Sequence, residues 1–77
     1  MAHAILRLPE AVRLSGCSRS TIYLRIKQGL WPRQVPLGPR SVGFPAYEVE
    51  ALNSARIAGK TDDEIRALLA RLGVRAS

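Results

Sequence analysis

Residues 8–29 read L-P-E-A-V-R-L-S-G-C-S-R-S-T-I-Y-L-R-I-K-Q-G, and this stretch constrains the fold more than any other part of the chain. Leu8, Ala11 and Val12 are spaced three and four apart, which predicts one apolar face of a short helix from about Pro9 to Leu14. Pro9 suits a first helical turn, where its missing N–H would be unpaired in any case. Ser15-Gly16-Cys17 reads as the turn, since Gly16 can take a positive φ without penalty. Ser18 is a good N-cap for a second helix over Arg19–Gln28, and Gly29 can end it. Ile22 and Ile26, one turn apart, should face the core. Ser20, Leu24 and Lys27 then fall on the opposite side, with Tyr23 at the flank. Arg19, at the helix start, could reach a phosphate. A short helix, a Gly-containing turn and a basic second helix are the sequence form of a helix-turn-helix. The second helix of such a unit lies in the major groove of duplex DNA, which sets the expected partner.

Charge points the same way. The chain carries +6 overall, and residues 1–45 account for all of it, with Arg7, Arg13, Arg19, Arg25, Lys27, Arg33 and Arg40 against Glu10 alone. Residues 46–77 balance, with Arg56, Lys60, Arg66, Arg71 and Arg75 against Glu48, Glu50, Asp62, Asp63 and Glu64. The half that faces a polyanion is therefore the half that contains the two-helix unit.

The rest of the chain completes one domain. Ile5-Leu6-Arg7 reads as extended. The stretches 31–37 and 42–44 around Gly38-Pro39-Arg40-Ser41 predict a β-hairpin. Pro32 and Pro36 are tolerable only on an edge strand, so the expectation is a two-stranded wing rather than part of a larger sheet. Pro45 opens a third helix, roughly Ala46 to Ala58, with Val49 and Leu52 facing inward and Gly59 breaking it. Thr61-Asp62-Asp63-Glu64 is a capping-box pattern with acids in the first turn. It starts a fourth helix, about Asp62 to Leu72, with Ile65, Leu68, Leu69 and Leu72 in one stripe. That stripe needs a partner surface: it either folds back on the domain or forms a dimer contact. The fold class is mainly α with a small β-hairpin. The expected division is a winged helix-turn-helix over 1–58 and a C-terminal amphipathic helix over 59–77.

The runs R-L-P-E at 7–10, S-G-C-S-R-S-T-I-Y at 15–23, I-K-Q-G-L-W-P-R at 26–33, L-G-P-R-S-V-G-F at 37–44 and E-V-E-A at 48–51 together resemble the AlpA family. These are small phage- and prophage-linked DNA-binding regulators, similar in fold to excisionases and to the DNA-binding part of MerR proteins. The resemblance covers about Leu6 to Ile57. It implies a winged helix-turn-helix that regulates transcription, with some relatives serving as excisionases that bend DNA for a recombinase. Ser18 to Lys27 would be the recognition helix and Arg40, at the hairpin tip, would approach backbone or minor groove. Phe44 stands where the family often has Trp. Leu24 stands where relatives often place a basic residue, and Cys17 where they usually have a branched apolar one.

The expected DNA-binding residues are Ser18, Arg19, Ser20, Thr21, Tyr23, Leu24, Lys27, Arg33 and Arg40. Arg and Lys can bond guanine or phosphate, while Ser and Tyr hydroxyls suit phosphates and some base edges. Arg13 and Arg25 fit phosphates or salt bridges better than bases. Cys17 reads as a small buried hydrophobe, Trp31 as a cap on the core, and His3 as a disordered N-terminal residue. With one Cys and one His, a four-ligand zinc site within one chain is excluded. The chain has no nucleophile–base pair and no glycine-rich phosphate loop, so neither an enzyme nor a cofactor is expected. No apolar run approaches the ~20 residues of a membrane span and no signal-peptide form opens the chain, which predicts a cytoplasmic, nucleoid-associated protein. A single winged helix reads few base pairs, so self-association, or a recombinase or transcription partner, is expected. An interaction module that uses the fourth-helix stripe is the alternative from another class.

Overall fold

Residues 4–73 are described in the computed structural model, and the expectation for His3 lies outside them. The elements run β1 (Ile5–Arg7), α1 (Leu8–Ser15), α2 (Arg19–Gln28), β2 (Val35–Gly38), β3 (Ser41–Pro45), α3 (Ala46–Ile57) and α4 (Asp62–Arg71). The four helices follow the sequence closely. α1 begins one residue earlier than expected, at Leu8, so Pro9 is its second residue. The C-cap Gly16 has φ 71°, a left-handed conformation that a side chain at this corner would strain.

The hairpin expectation needs a correction. β3 pairs antiparallel with β2 and also with β1, giving a three-stranded sheet in the order β1-β3-β2. Leu6 lies opposite Phe44, and Pro36 opposite Val42. β2, which carries Pro36, is an edge strand. Pro36 does not constrain the far side of β3, which takes the extended residues before α1. A second correction concerns residues 31–34, which are not strand. Trp31 and Pro32 are instead buried in the core.

That core is one cluster: Ala11 of α1, Ile22 of α2, Leu30 and Trp31 after it, Phe44 of β3, Val49, Leu52 and Ala55 of α3, and Ile65 and Leu69 of α4. Leu8, Val12, Ile26 and Leu68 pack against it while partly exposed. Cys17 does the same, so it is half-buried at the edge of the core rather than enclosed. Trp31 meets Phe44 edge to face, with ring centroids 5.9 Å apart and planes at 90°. The fourth-helix stripe thus divides by burial: Ile65 and Leu69 are enclosed, Leu68 and Leu72 half so. Glu48, in the first turn of α3, is also buried, at 1% exposure. A buried carboxylate must be paired, and Glu48 does not stand alone.

The Thr61 capping box forms as the sequence implies. The Glu64 N–H donates to the Thr61 hydroxyl at 3.2 Å, and the Thr61 N–H donates to the Glu64 carboxylate at 3.0 Å. The bond that the Thr61 N–H donates to the carboxylate, and after it the Thr61 hydroxyl beside the carboxylate, lower the Glu64 pKa, with a smaller contribution from Lys60. A carboxyl depressed in the folded state stabilises the fold above its ordinary value of 4.5, and the contribution is lost as pH falls through the lower folded value. Thr61→Ala keeps the backbone donor that dominates the shift and removes only the hydroxyl, so Glu64 is expected to titrate only part of the way back toward 4.5 by NMR. A full return would refute the leading role of the Thr61 backbone N–H.

Gly43 marks the tightest point of the sheet. A Cβ there would lie 2.5 Å from the Ile5 Cγ2, 2.9 Å from the Leu37 Cδ1 and 3.1 Å from the Leu6 carbonyl oxygen. The middle strand can therefore be approached from both sides only without a side chain. Gly43→Ala is expected to destabilise the protein by about 1–3 kcal/mol in urea unfolding, the usual range for overpacking. A change under about 0.5 kcal/mol, the usual scale of surface substitutions, would show that the sheet gives way there.

Candidate nucleic-acid interface

The turn that aims α2 is held from several directions. The Gly16 N–H donates to the Val12 carbonyl at 3.1 Å, and the Cys17 N–H donates to the Ser15 hydroxyl at 3.2 Å. Ser18 caps α2: its hydroxyl oxygen accepts from the Thr21 N–H at 3.2 Å and lies 2.9 Å from the Thr21 hydroxyl. Behind the turn, the Asn53 side chain of α3 donates to the Leu14 carbonyl at 3.0 Å and so closes the last turn of α1.

Burial then sorts the faces of α2. Ile22 is fully enclosed and Ile26 packs on the core. At about 100° per residue, the direction opposite those two side chains is that of Leu24. The exposed residues agree: Arg19, Ser20, Leu24, Lys27 and Gln28 face solvent, and Leu24 is 54% exposed. Tyr23 is half-buried at the flank. Ser20, Leu24 and Lys27 therefore share one outward surface, with Arg19 at its N-terminal end.

The other expected residues are placed elsewhere. Ser18 and Thr21 are engaged with each other in the cap. Arg25 turns back across the corner, its Nη1 donating to the Cys17 Sγ at 3.4 Å. Arg13 is exposed on α1. Arg33 is exposed between α2 and β2 but already has a partner in the fold. Arg40 is exposed in the β2–β3 turn. Among the described residues, Arg19, Lys27 and Arg40 have no acidic partner, whereas Arg56, Lys60 and Arg66 pair with Asp62, Glu64 and Asp63 at 3.4, 3.9 and 3.2 Å.

Two residues of this region escaped the sequence reading. Gln28 is exposed beyond Leu24 on the same side of the helix. The angular arithmetic that placed Leu24 also places Gln28 about 40° from it, so the signal was present. Arg66 had no signal. It lies on α4, 38 residues from Gln28, and its Nε donates to the Gln28 carbonyl at 3.0 Å. That bond closes the C-terminal end of α2 with a cation, which also suits the helix dipole.

A groove of about 470 Å³ runs between α3 and α4, lined mostly by Ala51, Ala55, Ala58, Ala67 and Leu68. Its Lys60 and Glu64 are paired with each other. Among the described residues no group of His, Cys, Asp or Glu could hold a metal, and no helix is long and apolar enough to cross a membrane.

This architecture defines a class: a small helix-rich domain with a three-stranded antiparallel sheet, built on a helix-turn-helix whose second helix is basic and turned outward. Within that class the chain belongs to the family described as "Prophage CP4-57 regulatory protein (AlpA)", which matches residues 4–57. It is 49% identical over 55 residues to "Uncharacterized protein ORF88" of Enterobacteria phage P4, an alignment that covers 71% of this chain and 62% of that protein. The chain thus spans less than two thirds of this relative's length. No solved structure matches it.

Arg66 supplies a test of how α2 is held. Arg66→Ala removes the cation from the α2 C-terminus and is expected to cost roughly 0.5–1 kcal/mol in thermal unfolding, a typical value for an exposed helix-end cation. Amide exchange should quicken around Leu30, whose N–H bonds to the last turn of α2. Unchanged exchange there would mean that Arg66 does not brace the end of α2.

Proposed function

We propose that this chain is a sequence-specific duplex-DNA-binding transcriptional regulator linked to a phage or prophage. α2 enters the major groove and the β2–β3 hairpin acts as a wing, in the manner of MerR proteins and excisionases. The observation that carries this reading is the outward surface of Ser20, Leu24, Lys27 and Gln28 on a helix in the half of the chain that holds the whole net charge. Ser20 and Lys27 face base edges, and Lys27 can bond guanine O6 and N7. Arg19 and the amides of the first turn, ordered by the Ser18–Thr21 cap, face phosphate, as helix N-termini do. Tyr23 and Arg33 flank the groove, and Arg40 lies on backbone or minor groove.

The chemistry of the reaction is binding alone, without a catalytic group, cofactor or small-molecule substrate, in the cytoplasm. One helix and one wing cover few base pairs, so specificity is completed by further copies or by a transcription or recombinase partner. Residues 1–58 form the DNA-binding unit, and α4 is a helix packed upon it, a packing supported by the burial of Ile65 and Leu69. The same surface allows a second use, as an excisionase that bends attachment-site DNA. Bending measured by circular permutation of the bound site separates the two uses.

The test is affinity for a duplex selected from genomic fragments, compared with a scrambled duplex at two salt concentrations. Lys27→Ala is expected to lose about 1–3 kcal/mol on the selected site and to relax preference at one position. Arg40→Ala is expected to weaken all duplexes alike and to lower the salt slope by about one unit. Full affinity in both variants would overturn the docking mode, and equal affinity of the parent for selected and scrambled duplexes would overturn sequence specificity.

A further inference from the structure

The geometry points to Leu24 as a reader of the C5-methyl group of a pyrimidine in the major groove, with thymine as its natural source. This rests on the DNA-binding reading above and adds to it the identity of one recognised base.

Leu24 is the α2 residue directed opposite the Ile22 and Ile26 pair, and it leaves 54% of its surface open. A lone exposed leucine needs no explanation. Its neighbours make this one informative. Ser20 lies one turn before it, Gln28 one turn after it and Lys27 beside it, and all three are exposed and polar. An apolar side chain therefore stands at the crest of a hydrogen-bonding surface. On a helix inserted in the groove, the crest meets the groove floor.

The floor of the major groove is composed of hydrogen-bonding edges, with one apolar exception. Guanine and adenine present acceptors or an amino donor, cytosine presents its amino group, and thymine presents a methyl beside its carbonyl. A leucine over a polar edge removes water from that edge and returns no hydrogen bond, which is unfavourable. Over a methyl it buries apolar surface on both partners. Leu24 thus selects by attraction to the methyl and by the penalty at every other edge. A basic side chain at this position would instead favour guanine or phosphate, so the leucine gives this chain a preference of its own. Gln28 extends the same surface about 6 Å further along the axis, and its amide suits adenine N6 and N7.

The shared chemistry is the C5-methyl group, carried by thymine and by 5-methylcytosine, and one experiment distinguishes them. A duplex is selected from a random-sequence pool with the wild-type protein, and its thymines are replaced one at a time by deoxyuridine. Dissociation constants are measured for the wild type and for Leu24→Ala. The expected result is a thymine whose replacement weakens the wild type about fourfold, the scale of one buried methyl, and leaves Leu24→Ala unaffected. Exchanging that T·A pair for C·G should weaken the wild type further. Methylating the new cytosine should restore about fourfold if the methyl alone is read; no restoration would assign thymine specifically. Because Leu24 is exposed, Leu24→Ala should keep the wild-type unfolding midpoint, which separates recognition from folding. Uracil replacements that are neutral throughout, or that weaken both proteins equally, would overturn the assignment while the DNA-binding reading stands. If no duplex binds above the scrambled control, the DNA-binding reading fails and this inference with it.

Discussion

Phe44 is the contact on which the other parts depend. It lies on the central strand with no exposed surface, opposite Leu6 of β1, and its ring takes the edge of Trp31. Three connections meet at that ring. β1 leads directly into α1, Trp31 follows the end of α2, and β3 continues through Pro45 into α3. A side chain that fixes all three also fixes the angle between the two helices of the turn unit and the sheet behind them. The aromatic pair is worth about 0.5–1.5 kcal/mol beyond its burial. It holds Trp31 even though, among the described residues, the indole Nε1 meets no acceptor, a buried donor whose isolation costs about 1–3 kcal/mol.

Charge is arranged with the same economy. The C-terminal half neutralises itself through short-range pairs along α3 and α4, such as Arg56 with Asp62 and Lys60 with Glu64. These pairs are exposed and contribute little stability. Their consequence is electrostatic: the field of the molecule is set by residues 1–45, where Glu10 is the only acid. Glu10 is itself spent locally, accepting from the Arg7 N–H at 3.5 Å at the start of α1. Arg19 and Lys27 of α2 and Arg40 of the hairpin turn are left exposed, with no acidic partner among the described residues.

Much of this was legible in the residues, and the limits of legibility have physical causes. Caps and apolar spacing are local signals, so Ser18, Gly29 and Thr61 mark their helix ends and Ile22 marks the inner face of α2. The sheet was only half legible. Pro36 identifies an edge strand through its own missing donor, whereas the pairing of Ile5-Leu6-Arg7 with β3 joins segments about forty residues apart and leaves no trace in either. The Gly43 vacancy is intelligible only once Ile5 and Leu37 are known to lie on either side of it. For the outward surface the helix period was sufficient, and Gln28 follows from the same arithmetic as Leu24. The inner life of the turn was not: Arg25 resembles a free cation in the sequence, yet it folds back on Cys17 because the chain reverses direction there.

The family match ends at Ile57, and α4 begins five residues later at Asp62. The outward surface of α2 nevertheless depends on what lies past that boundary. Ile65 and Leu69 enter the same core cluster as Ile22 and Phe44. Arg66, held beside Asp63, closes the last carbonyls of α2 from the same helix. A helix of ten residues is too short to be stable alone in water, and α2 carries only two side chains that reach the core. Its orientation must therefore be imposed at both ends, by the cap and turn at Ser18 and by Arg66 at Gln28. The outward surface of α2 and the Arg66 side chain that closes its C-terminal end belong to different parts of the chain, and only the first is covered by the family match.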